Sequence, residues 1–371
     1  MLVVPYLQGY RPAADEPLIT RYDPERAYQG FNLVTSGHAP EALLTDMGGR
    51  ILHRWRYDLR RLWPDLYTKD REQIRKLEYW RRVRLLDDGS LLAIFEGIGL
   101  CRLDADSNLQ WAYRGGAHHD LEVDAAGNIW VLDREGRVLP RIHRKKGVLE
   151  DFITELSPSG QVVRKISLLE SFERSAYAPL LEHMPPSGDI FHTNTLELLD
   201  GRFEHLHPAF RAGNFLVSVL ELDTVAVIDP RREEVVWALT GMWHKQHQPT
   251  LVDSGHLLVF DNLGAGDASS RVLELDPLSQ QVLWHYGGDP EVDLFSKTLG
   301  TCQRLPNGNT LITESENGRA LEVTRGGETV WEYYNPHRAG EHQELIAVLF
   351  EVLRLPPDHP FASSLGQPAG S

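Results

Sequence analysis

Cys101 and Cys302 are the only thiols in a chain of 371 residues. That excludes a disulfide framework and leaves at most one bridge between two distant positions. Long apolar runs are missing as well, so nothing reads as a membrane-spanning helix. The first residues, MLVVPYLQGYRPAADEP, have no basic start and no apolar stretch long enough for a secretory leader. As given, the chain is expected to be soluble and cytoplasmic. Basic charge is scarce: 38 Lys and Arg against 53 Asp and Glu give a net charge of −15. Nucleic acid and an anionic membrane surface are therefore not expected as partners, whereas an anionic small molecule in a locally basic site stays open. Signature motifs are absent too, with no G-x-x-x-x-G-K-[ST], H-E-x-x-H, C-x-x-C or G-x-S-x-G. Neither a cofactor nor a dedicated metal motif is expected.

What the chain does contain is repetition. Hydrophobic residues make up 42% and charged residues 25%, enough for a core larger than one ordinary domain supports unless the fold repeats. One template recurs: apolar alternation, an Asp-Gly or Asn-Gly turn, a second apolar run, then a strand ending in Trp. It is read in RVRLLDDGSLLAIFEGIGLCRLDADSNLQWAY, FLVSVLELDTVAVIDPRREEVVWAL, TLVDSGHLLVFDN with SRVLELDPLSQQVLWHY, and QRLPNGNTLITESENGRALEVTRGGETVWEY. LEVDAAGNIWVLDRE with DFITELSPSGQVVRKISL is a fifth copy, with Ile166 in place of the Trp. Trp237, Trp284 and Trp331 fall at equal intervals. Four short strands per unit with tight turns is the pattern of a β-propeller blade. A half unit, EALLTDMGGRILHRW (41–55), lacks its inner strand, and ELIAVLFEVLRLP near the other end is left over. Pairing the two would make a sixth blade and remove two exposed sheet edges. The expected fold is all-β, a six-bladed β-propeller over residues 31–356 closed by N- and C-terminal segments sharing one blade. Residues 60–78 and 168–188 read as short helical or loop insertions, 1–30 as an extended arm and 357–371 as a flexible tail.

The first strand of each unit carries the chemistry. Nine, eight and seven residues before the turn glycine Gly127 stand His118, His119 and Asp120. The same positions before Gly201 hold His192, Thr193 and Asn194, and before Gly255 Gln246, His247 and Gln248. Thr301 lies seven before Gly308. A single histidine here would usually be a hydrogen-bonded buried residue and nothing more. Three copies at one repeat position are a stronger signal, because packing alone favours apolar residues there. His119 is in phase with His247, and His118 with His192. Adjacent strand residues face opposite ways, so a bulge in one blade is expected, and the choice between His118 and His119 stays open. Three imidazoles can bind a metal, divide nucleophile and acid–base duties, or hydrogen-bond water in a polar pore.

TSGHAPEALLTDMGGRILHRW, GGAHHDLEVDAAGNIWVL, DIFHTNTLEL, WHKQHQPTLVDSGHLLVFDN and the final repeat together resemble the arylsulfotransferase (aryl-sulfate sulfotransferase) family. The resemblance implies a six-bladed propeller that moves a sulfuryl group from an aryl sulfate to a phenol through a transient sulfohistidine, with no nucleotide sulfate donor. It implies His247 as the sulfated nucleophile, His192 as a second essential histidine with Asn194 beside it, and His118 or His119 as the third. Asp120, Gln248 and Thr301 are the further candidate substrate contacts. Leu220, in FLVSVLELDTVAVID, stands where the resemblance implies an arginine; Arg82, Arg211 and Arg304 are the candidate substitutes. Relatives work in the periplasm, and a homo-oligomer stays open. The alternative reading is a non-catalytic or metal- or ligand-binding propeller that keeps the histidines.

Overall fold

Turn chemistry sets the strand ends. In the computed structural model, which describes residues 9–366 except 10, 14, 69–73, 267 and 341, the Asp124 carboxylate accepts the backbone N–H of Ala126 and of Asn128. Gly127 adopts a φ of +83°, which a side chain would strain, and the strand Leu121–Val123 folds back on Ile129–Arg137.

Among the described residues this gives six sheets, each built on four antiparallel strands, the blades of a six-bladed β-propeller. Blade 1 is Leu349–Leu355, Phe31–Ser36, Glu41–Thr45 and Ile51–Arg56, and blade 2 is Arg82–Leu85, Leu91–Phe95, Gly99–Leu103 and Leu109–Arg114. Blade 3 is Leu121–Val123, Ile129–Arg137, Val148–Leu156 and Val162–Ser167, and blade 4 is Thr193–Leu198, Phe215–Val219, Thr224–Asp229 and Glu234–Thr240. Blade 5 is His247–Leu251, Leu257–Asp261, Arg271–Leu275 and Val282–Gly287. Blade 6 is Thr301–Arg304, Thr310–Glu314, Arg319–Val323 and Thr329–Tyr334. The repeating Trp residues, and Ile166, all lie on the fourth strands, as the template required.

The chain falls into two compact units, one drawn from the described residues of 1–96, 100–112 and 292–371, the other from 97–99 and 113–291. In the first, the C-terminal strand Leu349–Leu355 pairs antiparallel with Phe31–Ser36, so both chain ends build blade 1. The N-terminal share is three strands rather than the outer half alone, because Phe31–Ser36 supplies the second strand. Arg354 fastens this closure. Its buried guanidinium donates to Asn32 Oδ1 at 2.7 Å and to the buried Glu322 carboxylate of blade 6 at 2.9 Å. Trp331 and Trp55 are fully buried and donate their indole N–H to the carbonyls of Met47 and Gly89, each in a turn of the following blade. Ile19–Tyr22, within the stretch expected as an arm, pairs with Thr329–Tyr334 as a fifth strand on blade 6. Pro360–Gly366, within the stretch expected as a tail, is helical, and Phe361 packs edge-on against His53 and beside Trp55.

In the second unit the core lies between neighbouring blades. Trp130, Phe172, Phe191, Phe215 and Val217 pack between blades 3 and 4, and Phe210, Trp237, Leu257 and Val259 between blades 4 and 5. The insertion expected at 168–188 forms a helix, Leu168–Glu173, and a helical turn, Ala178–His183; that at 60–78 begins with Leu59–Leu62 and Pro64–Thr68.

Candidate active site

The first strands of blades 3, 4 and 5 lie side by side, with that of blade 4 in the middle. A regular strand would turn alternate residues away from one another. Each of the three instead carries a residue in the left-handed region at its start: His119 (φ +52°), His192 (+49°) and Gln248 (+50°). Non-glycine residues enter that region at a cost of about 1–2 kcal/mol, and such strain gathers at functional sites. At His119 the cause is visible. His118 N–H donates to Leu132 C=O and Leu132 N–H donates to Asp120 C=O, leaving His119 as the extra residue of a bulge. Register shifts follow His192 in blade 4, between Thr193 and Thr195, and span His247 to Thr250 in blade 5. The phase conflict in the sequence thus dissolves through irregularity in three blades, not one.

Blades 3 and 4 bring His118, His119 and His192 into contact. The His118 and His119 Nδ1 atoms are 2.9 Å apart, so they share one proton, and the rings meet edge-on. His119 in turn meets His192 edge-on, with centroids 4.9 Å apart. Both His118 and His119 are therefore part of the cluster, His119 as the ring that joins the other two.

Two carboxylates that sequence reasoning missed flank these rings. Asp151, on the third strand of blade 3, is buried with Oδ1 3.7 Å from His118 Nε2, and Oδ2 accepts the Thr193 N–H at 2.7 Å. Asp189 sits on the short strand Gly188–Asp189, which runs parallel to the start of Val148–Leu156. It accepts His192 Nδ1–H at 2.7 Å and His192 backbone N–H at 3.0 Å. The two acids are driven apart. Burial, then the charge of Asp189, pushes Asp151 up to about 7. Burial also opposes ionisation of Asp189, but the His192 hydrogen bond and the charges of His192 and Arg134 outweigh it and hold Asp189 low. His192 gains the reciprocal benefit: its burial is overcome by Asp189 and its pKa is raised. Burial, then the Arg134 charge, depresses His118 far below the ordinary imidazole range. The cluster thus sets a neutral His118 beside an Asp151 that keeps its proton to higher pH than an ordinary carboxyl, and a cation-favouring His192 beside an anion. The signals for the two acids were faint: a buried Asp inside the apolar run VLEDFITEL, and an Asp three residues before His192.

His247 opens blade 5 and is buried. Its Nδ1 lies 2.8 Å from Asn262 Oδ1 and 3.2 Å from the Lys245 carbonyl. A carbonyl can only accept, so Nδ1 carries the proton and the neutral ring has its lone pair on Nε2. Asn262 is a third residue the sequence did not single out.

Three of the expected substrate contacts also have structural partners. The Asp120 oxygens accept backbone N–H groups of Leu121 and Leu196, tying blade 3 to blade 4. The carboxylates within reach of imidazole nitrogens are those of Asp151, at His118, and Asp189, at His192. Asn194 Nδ2 donates to the Gln246 carbonyl and Gln248 N–H to Thr195 Oγ1, tying blade 4 to blade 5. Thr301 is buried at the start of blade 6, opposite Thr313.

A family model for the arylsulfotransferases matches residues 82–336, the span that contains every imidazole just described. The chain belongs to that family. No curated protein matches this arylsulfotransferase family member. Among solved structures, a protein of unknown function from Bacteroides caccae shares 14% identity, covers 86% of this chain and 97% of its own, and has a TM-score of 0.52. The Cps50 (Swd1) β-propeller domain of Myceliophteria thermophila shares 12% identity over 85% of this chain and 89% of its own, at a TM-score of 0.49. The likeness to the Bacteroides caccae protein concerns the fold alone.

Leu220, where the family resemblance implied an arginine, is buried in a helical turn after Phe215–Val219. The three candidate substitutes are engaged elsewhere: Arg82 with Glu351, Arg211 with Asp229 and Asn214, and Arg304 with the Gly308 carbonyl. The guanidinium beside the imidazoles is that of Arg134, 3.9 Å from Asp189. No helix among the described residues is long and apolar enough to cross a membrane.

Proposed function

We propose that this arylsulfotransferase family member moves a sulfuryl group from an aryl sulfate to a phenolic acceptor through a covalent intermediate on His247. The observation that carries the proposal is the pair of acceptors on His247 Nδ1, which direct the ring's lone pair to Nε2. A neutral imidazole of defined tautomer is a competent nucleophile near neutral pH. In the first half-reaction Nε2 attacks sulfur, the bond from sulfur to the aryl oxygen breaks, and the departing phenolate takes a proton from His192, whose cationic form Asp189 favours. In the second half-reaction the acceptor phenol returns a proton to His192, its oxygen attacks sulfur, and the N–S bond breaks. Charge then returns to its starting distribution with no cofactor consumed. Arg134 and the His192 imidazolium are the positive groups for the sulfuryl oxygens.

Steady-state kinetics test the scheme with p-nitrophenyl sulfate as donor and phenol as acceptor. Parallel double-reciprocal lines as acceptor is varied support a covalent intermediate; intersecting lines count against it. Absence of turnover in the wild-type chain favours the alternative, a ligand-binding propeller.

A further inference from the structure

We infer that His38, Glu41 and His337 form a binding site for one divalent transition-metal ion of zinc type. The three residues belong to the unit made of 1–96, 100–112 and 292–371, whereas the imidazoles of the proposed catalytic cluster belong to the other. His38 and Glu41 lie at the turn between Phe31–Ser36 and Glu41–Thr45 of blade 1; His337 follows the last strand of blade 6. One donor atom from each residue lies within 4.8 Å of the other two.

The scaffold under these side chains is fixed on both sides. Gly37 N–H donates to the Val348 carbonyl, and Ala347 N–H to the His337 carbonyl. Asn335 accepts the His337 N–H and donates to Ser36 Oγ and the Ala347 carbonyl. The donors are therefore brought together by ordered backbone on both arms.

Within the cluster the polar contacts are incomplete. His38 Nε2 meets Glu41 Oε1 at 2.8 Å, and Arg54 holds Oε2 at 3.2 Å with Arg56 at 3.9 Å. The His38 and His337 rings are stacked, centroids 3.3 Å apart and planes 8° apart. His38 Nδ1 and His337 Nε2 are both shielded from solvent without a hydrogen-bond partner. A buried polar atom left in this state is destabilising. A metal ion relieves the deficit. Two imidazoles and a carboxylate are an established zinc ligand set that leaves one position for water. Nitrogen donors also select zinc-like ions over magnesium, which prefers oxygen alone. Zinc sets its donors at about 2.0–2.2 Å, so binding opens the ring stack by side-chain rotation and draws the three donors in. Both histidines are only half-buried, which gives an ion a path from solvent.

The test is calorimetric titration of chelator-treated full-length protein with zinc chloride. Wild type, His337→Gln, Glu41→Gln and a His118→Ala/His119→Ala double variant are compared, with magnesium as control. The expected result is one zinc equivalent in wild type and in the double variant. Affinity should fall at least tenfold in His337→Gln and Glu41→Gln, and magnesium should not bind. Cobalt(II) absorption of wild type, displaced by zinc, gives a reading that needs no variant. No zinc binding to wild type, equal binding by His337→Gln, or loss only in the double variant overturns the inference.

Discussion

Asp151→Asn isolates the buried acid behind His118. Asp151 is 1% exposed, so solvent does little to screen it. Its folded pKa of about 7 lies above the ordinary 3.8. Between those values the folded protein holds a proton that the unfolded chain has released, so stability falls as pH rises through this window. Each tenfold change in proton affinity carries about 1.4 kcal/mol, so the loss is several kcal/mol at most. Asparagine does not titrate, can still accept the Thr193 N–H and can donate to His118 Nε2. Relative to wild type the variant should therefore gain stability steadily between pH 4 and pH 7.5, and little beyond. Unfolding free energies from urea titrations at a series of pH values measure the difference directly. A difference that stays flat across that range refutes the assignment of a proton to Asp151.

Asp189→Asn should lower the pKa of His192, since the variant keeps the shape but loses the anion; imidazole NMR titration reads this without any assay of turnover. If His192 titrates unchanged, its cationic role fails. Asn262→Ala should lower kcat by freeing the His247 tautomer, whereas Asn262→Asp, which keeps an acceptor, should retain more activity; equal effects would count against the tautomer argument. Arg354→Ala leaves the buried Glu322 carboxylate without its cation and should cost about 3–5 kcal/mol of stability. A loss under 1 kcal/mol by urea unfolding would mean that Arg354 does not fasten blade 1.

Much of the fold was legible because its signals are local and repeated. Asp-Gly and Asn-Gly turns fix hairpins, and a Trp on five of the six fourth strands marks the repeat without reference to distant residues. The sharing of blade 1 was inferred from two incomplete units, although Phe31–Ser36 escaped notice because no Asp-Gly or Asn-Gly turn marks its hairpin with Glu41–Thr45. At the site, imidazoles at one repeat position were visible, but their facing was not. Strand alternation is the only rule a sequence offers there, and left-handed residues at His119, His192 and Gln248 break it. Asp151, Asp189 and Asn262 reach the histidines from other strands, a relation that spacing does not encode. Asp120 adjoins the histidines in sequence, but spacing did not show that its carboxylate also accepts from the backbone of Leu121 and Leu196.

The nucleophile itself can be observed most directly by incubating the protein with p-nitrophenyl sulfate alone, quenching at alkaline pH and mapping the adduct by peptide mass spectrometry. A sulfohistidine intermediate predicts one sulfuryl group on the peptide containing His247, discharged by phenol and absent from His247→Ala. A sulfuryl group on another histidine, or none on a protein that nonetheless releases p-nitrophenol in the presence of phenol, would contradict it.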